Sequence, residues 1–90
     1  MTLEQLNMLV VLTDTGTLKQ ASAKLHKTQP AISQGIKQLE SQLNVALFDR
    51  SSYRLALTTA GRKIYHHAMR TLKEASELKQ LSEHLARGEE

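Results

Sequence analysis

The chain is 90 residues long, contains no cysteine and carries a formal net charge of +3. At this size a core buries only about 60% of the surface that the unfolded chain exposes, so one small domain and one further element fit, and two independent domains are excluded. Without cysteine there is neither a disulfide framework nor a thiolate zinc site, and a reducing cytoplasm fits best.

Thr2-Leu3-Glu4-Gln5 has the pattern of a capping box, so a helix should follow it. Leu3, Leu6, Leu9, Val10 and Thr13 share one face of the helical wheel, and Gly16 is a natural stop. The apolar run 6–12 inside this helix is too short to span a bilayer. It also lacks the basic lead and the small-residue cleavage pattern of a signal peptide, and no membrane contact is expected. Thr17-Leu18-Lys19-Gln20 repeats the capping pattern and opens a short second helix. Its buried face is Leu18, Ala21 and Leu25, with Lys19, Lys24 and Lys27 left to solvent or phosphate.

Thr28 is suited to cap a third helix almost at once, and Pro30 falls in its first turn, where a missing N–H is harmless. Ile32, Ile36, Leu39 and Leu43 form its core stripe to about residue 43. Two helices joined by so short a turn make a helix-turn-helix. Opposite the stripe lie Pro30, Gln34, Lys37, Gln38 and Ser41, with Ser33 at the flank and no acid among them. Gln pairs with adenine, Lys with guanine or phosphate, and Ser with either, so this is a face for base edges and phosphates; an ordinary polar helix surface is the plain alternative. Gly35 is unusual inside a helix, where it costs about 1 kcal/mol relative to Ala. It admits close packing on Ala21 or a close backbone approach to DNA, and its place toward the core side favours packing.

Residues 47–50 and 54–57 are two short extended segments around a polar turn, which predicts a β-hairpin over about 46–57. Beside a recognition helix a hairpin is a wing. Its Arg50 and Arg54 flank the tip, placed for backbone phosphates or a minor groove, or else they only solubilise the hairpin. Thr58 or Thr59 then caps a helix running to about residue 87, roughly 40 Å long. Ile64, Ala68, Leu72, Ala75, Leu78, Leu81 and Leu85 form an apolar stripe that so small a domain cannot cover. A second copy of the helix, antiparallel or at an angle, is the expected partner, with a missing neighbouring domain as the alternative.

The charge is uneven along the chain. Residues 1–18 and 71–90 each sum to −2, whereas residues 19–70 hold nine Lys and Arg against Glu40 and Asp49, which is +7. A basic zone between acidic ends is the footprint of a protein that faces phosphates. Enzyme chemistry is not expected. Ser33 lacks the glycine and strand of a nucleophile elbow, and His26, His66, His67 and His84 do not converge on a metal. No phosphate loop or carboxylate pair is present, so neither cofactor nor metal is called for. A protein-interaction module is the rival reading, since winged helices and long amphipathic helices also dock on proteins.

The order of elements and several strings resemble the N-terminal region of LysR-type transcriptional regulators over nearly the whole chain. The strings are Ala21-Ser22-Ala23-Lys24-Leu25-His26, Thr28-Gln29-Pro30-Ala31-Ile32-Ser33, Leu39-Glu40, Leu47-Phe48-Asp49-Arg50 and Leu57-Thr58-Thr59-Ala60-Gly61. The resemblance implies a mainly α winged helix-turn-helix over residues 1–58 and a linker helix over 59–90 that pairs two copies. It implies sequence-specific binding of double-stranded DNA by Thr28, Gln29, Pro30, Ser33, Gln34, Lys37 and Arg50. Family members commonly have Arg where this chain has Gln34. They are several times longer, so the resemblance also implies a piece of a longer regulator. An effector-binding domain and a higher oligomer would belong to the full-length protein.

Overall fold

The structure is a computed structural model that describes residues 1–51 and 55–88. Helix α1 (Leu3–Thr15) starts at the capping box: the Gln5 amide donates to Thr2 Oγ1 at 3.1 Å, and the Thr2 amide donates back to Gln5 Oε1 at 3.0 Å. It ends at Gly16, whose φ of 84° lets its N–H reach the Leu12 carbonyl. Helix α2 (Leu18–Leu25) is capped by Thr17 and closes on His26 at φ 55°. Helix α3 (Gln29–Leu43) is capped by Thr28, with Pro30 in its first turn, and stops at Asn44 at φ 60°, a residue that tolerates the left-handed region.

A two-stranded antiparallel hairpin follows, β1 (Phe48–Asp49) and β2 (Ala56–Leu57), with Phe48 opposite Leu57 and Asp49 opposite Ala56. Residues 52–54, including the proposed contact Arg54, lie outside the described residues. Helix α4 (Thr59–Ala86) begins at Thr58, which is attached through both its side chain and its backbone. Its hydroxyl accepts from the Gly61 amide at 2.8 Å and donates to the Ala46 carbonyl at 2.6 Å, and its backbone N–H donates to the Leu47 carbonyl at 2.9 Å. The start of α4 is thereby tied to the base of the hairpin.

The core gathers Leu9 from α1, Ile32, Ile36 and Leu39 from α3, and Leu47 before the hairpin, all fully buried. Burial of each such side chain contributes roughly 1.5–3 kcal/mol. Helix α1 is central and packs on α2, α3 and α4. That position corrects the expected one-sided stripe: Leu3 is exposed, whereas Met8, Val11 and Leu12 are buried with Leu6 and Leu9, because α1 has neighbours on several sides. Gly35 does pack closely, but on Met8 and not on Ala21. A Cβ there would stand 2.5 Å from the Met8 sulfur.

The stripe on α4 divides. Ala68 is 2% exposed inside the domain's own core, and Ile64 and Leu72 pack against that core. Ala68 is therefore not available to a second copy, since α1 already covers the first half of the helix. Beyond the half-buried Ala75, Leu78, Leu81 and Leu85 are 67%, 53% and 55% exposed. The Tyr65 hydroxyl donates to the Asp14 carboxylate at 2.5 Å, a further tie between α4 and α1.

Candidate nucleic-acid interface

Helix α3 presents its two faces as its sequence divides them. Ile32, Gly35, Ile36 and Leu39 are buried, while Gln29, Pro30, Gln34, Lys37, Gln38 and Ser41 are exposed and Ser33 is half-buried. Thr28 spends its side-chain oxygen on the cap, accepting from the Ala31 amide at 3.2 Å, which leaves its hydroxyl proton for an outside acceptor. The turn before it is held by three contacts. The Lys27 amide donates to the Ser22 carbonyl at 3.3 Å, Ser22 Oγ donates to the Lys27 carbonyl, and Lys27 Nζ pairs with Glu4 at 2.7 Å.

The wing stands against the same helix. Ser33 and Arg50 line one small hollow of about 20 Å³ between α3 and the hairpin, floored by Ile36, Phe48 and Leu55. On the other flank Gln34 and Gln38 border an open cleft of about 350 Å³ facing Thr2 and Glu4 of the α1 end. The proposed contacts therefore spread across α3: Ser33 toward the wing, Gln34 toward α1, with the exposed Lys37 on the same helix. Two of the cations are already paired, Lys27 with Glu4 and Arg50 with Glu40.

The second pair was not evident from the sequence. Glu40 Oε1 lies 2.9 Å from Arg50 Nη2, and Glu40 Oε2 accepts from the amides of Leu47 at 2.7 Å and Phe48 at 3.3 Å. Partial burial is the largest single influence on this carboxyl and pushes its pKa up. The hydrogen bonds from Leu47, Arg50 and Phe48 together outweigh it and hold the group below its ordinary value. The available signal was that Glu40 is the sole acid between Asp14 and Asp49. On the wing, Asp49 accepts from the Ser51 hydroxyl at 2.6 Å and the Ser51 amide at 2.9 Å, which lowers its pKa.

His66 sits edge-on to Tyr65, His67 contacts Arg70, and no cluster of metal ligands occurs among the described residues. No described helix is long and apolar enough to cross a membrane.

Three helices with a short turn between the second and third, followed by a hairpin against the third, define a winged helix-turn-helix. The family model for the bacterial regulatory helix-turn-helix protein of the lysR family matches residues 3–62, and the chain belongs to that family. Among curated relatives, the HTH-type transcriptional regulator CfxR of Cupriavidus necator is 42% identical over 77 residues, covering 86% of this chain and 24% of that protein. The uncharacterized HTH-type transcriptional regulator YeiE of Escherichia coli is 40% identical over 80 residues, covering 89% of this chain and 27% of that protein. The chain thus spans about a quarter of the length of these two relatives. Among solved structures, the DNA-binding domain of CbnR in complex with DNA is 32% identical, with a TM-score of 0.88 over 96% of this chain and 99% of that one. That of BenM in complex with a benA site is 27% identical, with a TM-score of 0.92 over 98% and 99%.

Proposed function

We propose that this chain is the DNA-reading part of a LysR-type transcription regulator that binds double-stranded DNA as a homodimer. Helix α3 enters the major groove, and the hairpin lies on the flanking backbone or minor groove. The observation that carries this reading is the exposed outer face of α3, polar, lacking acids and set in the +7 zone of the chain. In this reading Gln29, Gln34 and Lys37 face base edges, Thr28, Pro30 and Ser33 fit the helix end into the groove, and Arg50 and Arg54 serve the wing. The likeness to CbnR and BenM domains solved in complex with DNA supports DNA as the partner.

Dimerisation runs through the distal half of α4, where Leu78, Leu81 and Leu85 are uncovered. No catalytic step and no cofactor belong to this function, and the site of action is the cytoplasm. A small-molecule effector and a higher oligomer are proposed for a full-length regulator alone; the matched region is 24% of the length of CfxR. The deciding experiment is a mobility-shift titration against salt. Binding that weakens steeply between 50 and 200 mM salt, by about 10³-fold or more, reports phosphate contacts. Absence of binding at low salt favours a protein-docking module instead.

A further inference from the structure

Glu40 stands near the end of α3 on its wing-facing side, and its two carboxylate oxygens have separate partners. Oε2 is fixed by the backbone amides of Leu47 and Phe48, and Oε1 holds the guanidinium of Arg50 at 2.9 Å. Exposure falls unequally on the pair: the Glu40 side chain is 15% exposed and that of Arg50 46%. The carboxylate is thus anchored by the protein backbone, and the arginine is anchored by the carboxylate while much of it still faces solvent. An arginine held this way loses little further rotamer freedom when a phosphate or base edge meets its outer donors.

We propose that Glu40 is a positioning residue for DNA binding. It holds Arg50 beside Ser33, at the junction of α3 and wing, before DNA arrives. The inference rests on the reading of this chain as a DNA-binding domain. Charge and positioning make opposite demands on it. A carboxylate near the interface repels phosphates, so on charge alone Glu40→Gln should tighten binding. If Glu40 aims Arg50, the same change should weaken binding, because the amide keeps an acceptor for Leu47 but loses the charge-assisted bond to the guanidinium.

The test is a double-mutant cycle of wild type, E40Q, R50A and the double variant, titrated on duplexes selected from a random pool by the wild-type chain. We expect E40Q to weaken binding about tenfold, an effect of a lost charge-assisted hydrogen bond, and to change it less than about twofold in the R50A background. Equal or tighter binding by E40Q, or the same loss in both backgrounds, overturns the proposal. Nitrogen-15 relaxation of the Arg50 side chain in the free wild-type protein tests it without any variant. An ordered guanidinium is expected, and one as mobile as a free side chain overturns the proposal. A wild-type chain that binds no duplex overturns the DNA-binding function itself and this role with it, whereas wild-type binding with an indifferent E40Q removes only the role of Glu40.

Discussion

Gly35 on α3 and Met8 on α1 occupy each other's space so closely that a methyl group at Gly35 would stand 2.5 Å from the Met8 sulfur. Gly35→Ala should gain about 1 kcal/mol of helix propensity and must displace the flexible end of the buried Met8 side chain, for a net effect between neutral and a destabilisation of about 1 kcal/mol. In a Met8→Ala background the clash is gone, and the same substitution should become neutral or stabilising. Urea denaturation of the four proteins checks this. An equal penalty in both backgrounds would place the obstruction elsewhere.

Gly61 is under a harder constraint, since a Cβ there would lie 2.1 Å from the Leu47 carbonyl oxygen, a backbone atom that also accepts from Thr58. A side chain can swing aside, but this carbonyl is held by the start of α4. Gly61→Ala should therefore cost on the order of 3 kcal/mol, more than Gly35→Ala. Thermal unfolding of the two variants side by side would contradict this if Gly61→Ala melted at the higher temperature.

The depressed pKa of Glu40 makes a prediction about acid. Its ionised form is the one favoured by the fold, so its contribution is complete above the ordinary value of 4.5 and is lost as pH falls through the lower folded value. The stability gap between wild type and Glu40→Gln should be largest near neutrality and should close below pH 4.5. Urea midpoints measured from neutral to acid pH read this directly. A gap that persists unchanged in acid would show that the ionised carboxylate is not what stabilises the wing.

Leu78 is 67% exposed, so a change there leaves the winged domain's core untouched. Leu78→Asp places a carboxylate in the proposed seam, where burial of an unpaired charge costs several kcal/mol. Sedimentation should show a shift toward monomer with an unchanged melting profile of the winged domain. A dimer as stable as wild type would move the interface off the distal half of α4.

Gln34 is exposed on α3, away from the helix's buried stripe of Ile32, Ile36 and Leu39. Gln34→Arg should shift base preference at one position of each half-site from adenine toward guanine by roughly 1–3 kcal/mol and raise non-specific affinity. Gln34→Ala should lose discrimination there with little change in salt dependence. Site selection from random DNA with all three proteins decides it, and identical preferences would mean that Gln34 reads no base.

The helices were legible because each one is marked locally. Thr2, Thr17, Thr28 and Thr58 all cap, and Gly16 ends α1 where its sequence places the stop. The two faces of α3 follow from one stripe of Ile and Leu at helical spacing. The covering of Ala68 was not legible, because whether a stripe on α4 faces its own domain or a second copy depends on where α1 ends up. Gly61 was hidden for a related reason: its neighbour, the Leu47 carbonyl, is a backbone group that leaves no mark in side-chain pattern, as are the two amides that fix Glu40 against its side-chain partner Arg50.

Thr58, Tyr65 and Ala68 fasten the first third of α4 to the winged domain, while the leucines at 78, 81 and 85 project well past it, within an envelope 53 Å long. The helix is therefore a rigid lever. A tilt of about 10° at one end of a helix roughly 40 Å long displaces the other end by about 7 Å, the rise of about two base pairs. In a dimer seamed at these leucines, the angle at which the two levers cross sets the distance between the two recognition helices. A small change in that angle would change which spacing of half-sites the pair can span, without moving any side chain on α3 relative to its own domain.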